Sequence, residues 1–218
     1  MADGSTKRLI VVSNRLPYVL EHNHDKNRWT LKPGSGGLVT ALLPVLRDRG
    51  GVWIGWTGTT EEVPGVTEIF HGASREAGYV LEPVSLCQEE VDRYYHGYSN
   101  ETVWPLFHDL QSQCEFEPDY WHAYVKVNRR FAEALAADCH PDDFVWVHDY
   151  QLMDVAHHAR EVSCVVDLAF FLHIPFPPPD IFLKLPERLA VLTSLLAYDL
   201  IGFQTQRDRR NFIQCVRM

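Results

Sequence analysis

Polar side chains that could do chemistry follow three apolar stretches of the sequence. Arg15 comes shortly after residues 9–12, Asp149 follows residues 144–148, and His173 follows residues 165–172. Open parallel sheets bind ligands beyond the carboxyl ends of their strands, so three such strand ends would bring these groups together. Arginine pairs with phosphate oxygens, and a carboxylate accepts hydrogen bonds from hydroxyl groups. The residue types therefore predict a site for a sugar phosphate.

Each of these side chains also has an ordinary structural explanation. Arg15 could form a surface ion pair, Asp149 could cap the helix predicted after it, and His173 could be a buried histidine with satisfied hydrogen bonds. Taken one at a time, the residues leave both explanations open.

A glycine-rich turn precedes the first predicted helix. Residues 34–37 read Gly-Ser-Gly-Gly, and apolar residues then recur at helical spacing until Gly50. Free backbone amides at a helix start suit a phosphate or diphosphate. The spacing is neither that of a dinucleotide-binding fingerprint nor that of a P-loop, so an ordinary flexible turn remains an alternative.

The elements that would position these residues alternate along the chain. The pattern predicts strands at residues 9–12, 52–56, 67–71, 78–82, 144–148, 165–172 and 199–203. It predicts helices at residues 37–50, 88–98, 118–138, 150–161 and 186–196 and from Thr205 onward, and a loop at residues 22–27. Repeated β-α units are typical of an α/β fold with a Rossmann-like parallel sheet flanked by helices.

Composition excludes several classes of function. The 218 residues carry a formal charge of −9 and no long Lys/Arg cluster, which argues against nucleic acid or an anionic membrane as partner. Five widely spaced cysteines without a C-x-x-C pair predict reduced thiols, and the histidines show no metal-ligand spacing. No signal peptide or apolar run of about 18 residues is visible. We therefore expect a cytoplasmic protein without a bound metal.

Eight segments in order resemble the trehalose-6-phosphate synthase family, which are retaining glycosyltransferases of family 20 with the GT-B fold. The segments are residues 11–17 (VVSNRLP), 36–38 (GGL), 53–58 (WIGWTG), 94–100 (YYHGYSN), 104–108 (WPLFH), 146–152 (WVHDYQL), 170–177 (FFLHIPFP) and 202–205 (GFQT). They extend from near the start of the sequence to near its end. The resemblance implies transfer of glucose from UDP-glucose, as co-substrate, to glucose 6-phosphate, with no further cofactor.

The resemblance also implies roles for individual residues. Arg15 and Tyr95 would hold the acceptor phosphate, and Asp149 would bind the acceptor hydroxyls. Gly36 and Gly37 would approach the donor through their backbone amides.

Three further positions follow from the same resemblance. Trp104 and Ile174 would shape the acceptor pocket, and His173 would lie beside the transferred sugar. His173 and Asp149 are thus the expected catalytic residues.

The resemblance is to one lobe of a two-lobed enzyme. Residues 1–218 would form the N-terminal, acceptor-binding lobe, whereas the lobe that holds the donor diphosphate is not in this sequence. We therefore expect no useful turnover from this chain alone. Three alternatives remain open: a synthase with glycerol 3-phosphate as acceptor, a non-catalytic sugar-phosphate-binding regulatory subunit, and a plain Rossmann-like nucleotide-binding domain. A homo-oligomer is also compatible with the sequence.

Overall fold

The computed structural model describes residues 7–23, 28–162 and 164–218. Its centre is a sheet of six parallel strands in the order β5-β4-β1-β6-β7-β8, which confirms the predicted α/β architecture. The order reverses direction at β1, whose neighbours are β4 and β6, and such a switch point opens a crevice at the carboxyl ends of the strands. The strands are β1 Leu9–Arg15, β4 Val52–Trp56, β5 Val80–Val84, β6 Phe144–His148, β7 Asp167–Leu172 and β8 Leu200–Phe203.

Helices cover both faces of this sheet. They are α1 Gly37–Arg49, α2 Val66–Ala77, α3 Gln88–Glu90, a π-helix Val91–Val103, α4 Trp104–Phe107, α5 Pro118–Asp138, α6 Val155–Glu161, α7 Pro179–Phe182, α8 Arg188–Leu195 and α9 Gln206–Val216. Short 3₁₀ turns occupy Gln111–Gln113 and Tyr150–Leu152. Thr205 caps α9, as predicted, because its hydroxyl accepts a hydrogen bond from the Asp208 amide (3.2 Å).

Strand β1 separates two hydrophobic cores. Ile10 and Val12 lie in the larger core, while Val11 lies in the smaller one with Trp53 and Leu46. All five side chains are fully buried, which explains why the run of apolar residues at 9–12 shows no alternation with polar residues.

The first strand is longer than its apolar run. The sequence interpretation ends this strand at Val12, but β1 continues through Ser13 to Arg15. Its register against β4 shifts between Val12 and Arg15. The shift places Arg15 as the last residue of the central strand, at the crevice.

Two predictions of local structure are wrong. Residues 67–71 form part of helix α2 rather than a strand, because Phe70 and Ala77 share a buried helical face. The predicted loop at residues 22–27 overlaps an antiparallel hairpin, β2 Tyr18–Asn23 and β3 Arg28–Pro33. Residues 24–27 of that prediction lie outside the described residues.

The helix predicted at residues 88–98 is confirmed as helical but has an unusual form. After one α-helical turn it becomes a π-helix over Val91–Val103. This conformation is rare in proteins, and where it occurs it is often part of a functional site. Within it Gly97 lies against the ring of Tyr120, and a Cβ at Gly97 would come within 2.7 Å of that ring. This close packing fixes the helix that carries Tyr95.

No helix in the described part of the chain combines the length and apolar character needed to cross a membrane.

Candidate functional site

A cleft of about 500 Å³ lies at the switch point of the sheet. The carboxyl ends of β1 and β6 form its floor, and the turn before α1 and the π-helix form its walls. The lining residues include Asn14, Arg15, Gly34, Ser35, Gly36, Gly37, Tyr95, His148, Asp149 and Gln151. Five of the eight residues implicated by the sequence are therefore brought together here.

Arg15 extends into this cleft from the end of β1. Its guanidinium carbon lies 5.0 Å from the centre of the Trp56 ring and 5.5 Å from that of Tyr95. These aromatic faces hold the side chain in place while the charge stays exposed. No carboxylate among the described residues forms an ion pair with Arg15, so its charge is available to an anionic ligand.

Asp149 occupies a strained position at the end of β6. Its φ of +76° is unusual for a residue with a side chain, and its amide donates to the carbonyl of Phe171 (2.9 Å). Its Oδ1 accepts hydrogen bonds from the amides of Tyr150 (3.0 Å) and His173 (3.2 Å). Asp149 thus does cap a short 3₁₀ turn, and it also ties β6 to the end of β7.

The second carboxylate oxygen of Asp149 is available for a ligand. No described residue donates a hydrogen bond to Oδ2. Burial raises the pKa of Asp149, because the charged form is poorly solvated there. A hydroxyl-rich ligand would supply the donors that this carboxylate lacks.

Two histidines meet beside Asp149. Nδ1 of His148 lies 3.0 Å from Nε2 of His173. His148 is only 2% exposed, and burial together with the nearby His173 lowers its pKa to about 3, so it is neutral at physiological pH. Its Nε2 is buried and finds no hydrogen-bond partner among the described residues. His173 itself contacts the site through Asp149 and His148, although it does not line the cleft.

The glycine turn leaves open space at the start of α1. Gly36 precedes the helix with φ +153°, and no atom lies within 4 Å of where a Cβ would stand on Gly36 or Gly37. The amide of Gly34 donates to the carbonyl of Pro17 (2.7 Å), which anchors the turn beside the end of β1. A ligand could therefore approach the backbone amides of the turn closely.

Tyr95, Trp104 and Ile174 differ in their relation to the cleft. Tyr95 lines it, whereas Trp104 and Ile174 do not. Trp104 is 38% exposed and packs on His108 with ring centres 4.2 Å apart. Ile174 is part of the larger hydrophobic core. The roles of Trp104 and Ile174 in an acceptor pocket stay predictions.

Several lining residues were not selected from the sequence. Asn14 accepts a hydrogen bond from the hydroxyl of Tyr94 (2.9 Å), and Gln151 follows Asp149 by two positions. His148 adjoins Asp149 in the same motif, so its place at the strand end was a usable signal. Val19 and Pro33 come from the hairpin, which the sequence interpretation missed.

A group of possible metal ligands lies outside the cleft. Potential ligand atoms of His157, His158 and Glu161 lie within 4.8 Å of one another. His158 Nδ1 already lies 3.0 Å from Glu161, and the Arg129 guanidinium lies 3.3 Å from the same carboxylate. Because a positive charge already neutralises this carboxylate, we interpret the group as an ion-pair network rather than a metal site.

The chain is similar to known proteins in both sequence and structure. The model of Glycosyltransferase family 20 matches residues 7–218. The trehalose-6-phosphate synthase of Mycolicibacterium smegmatis is 44% identical over 213 residues, which cover 96% of this chain and 40% of the relative. This chain therefore spans about two fifths of the length of that curated relative.

Solved structures give the same relationship. An alpha,alpha-trehalose 6-phosphate synthase from Burkholderia multivorans superposes with a TM-score of 0.82 at 37% identity, over 97% of this chain and 43% of the other. An E. coli structure with bound UDP-2-fluoro glucose gives 0.80 at 34% identity, with the same coverages. A Burkholderia xenovorans synthase in complex with glucose-6-phosphate gives 0.75 at 31%, over 94% of this chain and 42% of the other. Because the family model matches residues 7–218 of the 218, the chain belongs to glycosyltransferase family 20.

Proposed function

We propose that this chain is the acceptor-binding part of an alpha,alpha-trehalose-6-phosphate synthase. The whole enzyme would transfer glucose from UDP-glucose to glucose 6-phosphate with retention of configuration, and it would need no other cofactor. The names of the relatives support this reaction, as do the ligands of two similar structures: a UDP-glucose analogue in one and glucose-6-phosphate in the other. A cytoplasmic location belongs to the same proposal.

The observation that carries the proposal is the exposed, unpaired charge of Arg15 in a cleft with few other cations. An arginine held between aromatic rings, with no carboxylate pairing it among the described residues, is prepared for an anion. A phosphate monoester takes two parallel hydrogen bonds from a guanidinium. Tyr95, whose ring faces the Arg15 guanidinium, would lie beside the same phosphate.

The remaining groups would bind the two sugars. Oδ2 of Asp149 would accept hydrogen bonds from acceptor hydroxyls, while Oδ1 keeps the carboxylate fixed. The open amides of Gly36 and Gly37 would approach the donor, and His173 would lie beside the transferred glucose. The resemblance assigns Trp104 and Ile174 to the shape of the acceptor pocket, although neither residue lines the cleft in this structure.

The reaction would break the bond between C1 of glucose and the UDP oxygen and form a bond from C1 to the acceptor's anomeric oxygen on the same face. The resemblance implies that the acceptor proton passes to the departing diphosphate and that no side chain acts as nucleophile. This chain's residues would contribute by positioning the acceptor. In favourable intramolecular reactions, positioning lowers the activation free energy by roughly 7–11 kcal/mol. The diphosphate charge would be stabilised mainly outside this chain, and we expect no measurable UDP release from it alone.

Calorimetric titration of the purified chain with glucose 6-phosphate tests the proposal. We expect binding that Arg15→Ala weakens by roughly 10- to 100-fold, since a charge-assisted hydrogen-bond pair contributes about 1.5–3 kcal/mol. Arg15→Lys is the matched control, because it keeps the charge but loses the two-pronged geometry and should fall between the two. Equal binding by all three proteins would exclude Arg15 as the phosphate ligand.

Glycerol 3-phosphate distinguishes the neighbouring function. A synthase for that acceptor would bind it at least as tightly as glucose 6-phosphate, and Arg15→Ala would weaken both. A clear preference for glucose 6-phosphate would support the trehalose-phosphate reaction, since both ligands offer a phosphate to Arg15 but the hexose ring offers more hydroxyls, in fixed positions, to groups such as Asp149.

A further inference from the structure

Two of the five cysteines lie in contact at the edge of the sheet opposite the cleft. Cys139 follows the last residue of α5, and Cys164 precedes β7. Their sulfur atoms are 2.8 Å apart, although the residues are 25 positions apart in the chain. A disulfide bond is about 2.05 Å long, so the two sulfurs need approach by only about 0.8 Å to form one.

The backbone holds both cysteines in place. The amide of Cys139 donates to the carbonyl of Leu135 (2.9 Å), and that of Cys164 donates to the carbonyl of Ala159 (3.0 Å). Both side chains pack against the larger hydrophobic core. The contact is therefore between two anchored elements, the end of α5 and the start of β7.

We propose that Cys139 and Cys164 form an intramolecular disulfide by exchange with a low-molecular-weight disulfide such as oxidised glutathione. This extends the sequence interpretation, which predicts reduced thiols. It does not depend on the proposed function, because both residues lie away from the cleft.

The two thiols have different accessibility, which sets the order of the reaction. Cys139 is partly exposed, whereas Cys164 is 5% exposed. Burial raises the pKa of Cys164 to about 12, with the neighbouring Cys139 adding to the effect and the charge of Arg160 opposing it. Cys164 therefore stays protonated and protected from external reagents, and Cys139 is the thiol that meets the oxidant first.

The exchange proceeds in two balanced steps. The Cys139 thiolate attacks one sulfur of oxidised glutathione, forms a mixed disulfide and releases one glutathione thiolate. Cys164 then gives up its proton, its sulfur attacks that of Cys139, and the second glutathione leaves as a thiolate that takes a proton. Two protein thiols are oxidised and one glutathione disulfide is reduced to two thiols.

The disulfide bond would close a loop of the chain that includes a residue of the cleft. The segment between the two cysteines includes β6, Asp149 and α6. Closing a loop of this length reduces the freedom of the unfolded chain and should raise the melting temperature by roughly 5–10 °C. Because the cysteines lie at the opposite edge of the sheet, we expect ligand affinity in the cleft to stay within about twofold.

The test exposes the purified full chain to oxidised glutathione and then blocks free thiols with iodoacetamide in denaturant, so that buried Cys164 also reacts if it is free. Cysteine-containing peptides are then mapped by mass spectrometry without reduction. The expected result is a cross-linked pair of peptides containing Cys139 and Cys164, with the higher melting temperature reversed by dithiothreitol. Cys164→Ser should stop at the Cys139–glutathione adduct and lose the gain in melting temperature. Cys87→Ser, which alters an exposed cysteine outside the pair, should behave as wild type.

Three results would overturn the proposal. Both thiols of wild type could still be alkylated by iodoacetamide in denaturant after the oxidation, Cys139 could accumulate only as the glutathione adduct, or cross-links could join other cysteines instead. The peptide map separates these results from any failure of sugar-phosphate binding, since it requires no ligand.

Discussion

Arginines stand at both edges of the sheet, and their surroundings differ. At the amino-terminal edge Arg8 donates to both carboxylate oxygens of Asp143 (2.9 and 2.7 Å) and to the carbonyl of Asp138 (2.6 Å). At the carboxyl-terminal edge Arg15 has aromatic neighbours and no ion-pair partner among the described residues. The first arrangement uses its charge within the fold, while the second leaves it for a ligand.

Other groups follow the same division. At the amino-terminal edge Arg160 binds Asp199 (2.7 Å), and Asp199 in turn accepts from the amide of Leu168 (2.8 Å). At the carboxyl-terminal edge Asp149 has a positive φ and a raised pKa, and His148 keeps an unsatisfied nitrogen. The backbone strain of Asp149 and the unpaired nitrogen of His148 thus lie where a ligand is expected, whereas the two arginine–aspartate pairs at the other edge stabilise the fold.

A substitution at Gly55 should produce the largest effect, because this residue influences both the stability of the fold and ligand binding in the cleft. A Cβ at this position of β4 would lie 2.6 Å from the amide nitrogen of Leu16 and 2.8 Å from the carbonyl carbon of Arg15. Gly55→Ala must displace the end of β1, and we expect a loss of about 3 kcal/mol in unfolding free energy together with weaker ligand binding. Urea unfolding and calorimetry measure both quantities.

A matched glycine substitution provides the control. No atom lies within 4 Å of a Cβ built on Gly72 in α2, and alanine favours helices over glycine by roughly 0.5–1 kcal/mol. Gly72→Ala should therefore stabilise the protein slightly and leave binding unchanged. If Gly55→Ala proved equally harmless, the close approach of β4 to the end of β1 would not constrain the site.

Asp143 should separate stability from binding at the amino-terminal edge. Asp143→Ala removes the carboxylate that Arg8 and the His140 amide (2.7 Å) both contact, and we expect a loss of about 2–3 kcal/mol. Glucose 6-phosphate affinity of the folded variant should stay unchanged. Asp142→Ala, which removes an exposed neighbour, should change neither quantity, and a comparable loss there would remove the special role of Asp143.

The pH dependence of stability should report the same ion pair. Burial tends to raise the pKa of Asp143, but the hydrogen bonds from Arg8 and the His140 amide, together with the charge of Arg8, outweigh it, and the pKa is lowered overall. Its contribution is therefore present above the unfolded-state pKa near 4 and is lost as pH falls through the lower folded-state value. Asp143→Ala should flatten the stability curve in this acidic range.

Substitution of Asp149 should weaken ligand binding and leave stability intact, the reverse of what we expect for Asp143. Asp149→Asn keeps an Oδ1 that can accept from the Tyr150 and His173 amides, yet it removes the charge that would bind hydroxyls. We expect roughly tenfold weaker glucose 6-phosphate binding with no loss of stability. Because burial raises the pKa of Asp149, wild type should lose stability relative to the variant as pH rises from about 4 through the folded-state pKa.

Asp109→Asn is the control for this substitution. Asp109 is the other described non-glycine residue with a positive φ (60°), but it is exposed and lies outside the cleft. Its asparagine variant should bind as wild type. Unchanged binding by Asp149→Asn as well would show that the carboxylate does not contact the acceptor.

The strands next to Arg15 and Asp149 were predictable because their apolar runs are short, buried on both faces and followed by polar residues. The hairpin was not, since its two strands are only partly buried and alternate weakly. Residues 67–71 read Thr-Glu-Ile-Phe-His, in which Thr, Ile and Phe favour a strand, yet packing of Phe70 against the smaller core selects the helix. The local pattern does not contain that tertiary contact.

The site, like the fold, was predictable from the sequence only in part. The glycine turn and the residues at strand ends follow from position in a β-α unit, and the fold places them together. The aromatic support of Arg15 by Trp56 and Tyr95 depends on a π-helix and on strand β4, which are distant in sequence. Likewise, the contact between His148 and His173 needs the pairing of β6 with β7 before it can be seen.

The smallest change in unfolding free energy should come from substitution of His158 on α6. This substitution tests whether the pairing of a buried histidine with carboxylates stabilises the fold. Burial lowers the pKa of His158, but hydrogen bonds with Asp154 and Glu161 outweigh it, so the pKa is raised overall. Ser194 from α8 donates to Asp154, and Arg129 from α5 pairs with Glu161, so the network joins three helices.

A raised histidine pKa stabilises the fold below the unfolded-state value near 6.5, and this contribution is lost as pH rises through the folded-state value. His158→Gln should therefore cost about 1 kcal/mol or less near pH 6, and the difference from wild type should shrink at higher pH. Urea unfolding between about pH 5 and pH 9, a range that includes the ordinary histidine pKa, measures this difference. His157→Gln is the control: His157 is only half-buried and lies 3.6 Å from Glu161, so its variant should stay close to wild type throughout. A constant difference across this range would mean that His158 stabilises the helices through packing, and that its proton makes no contribution.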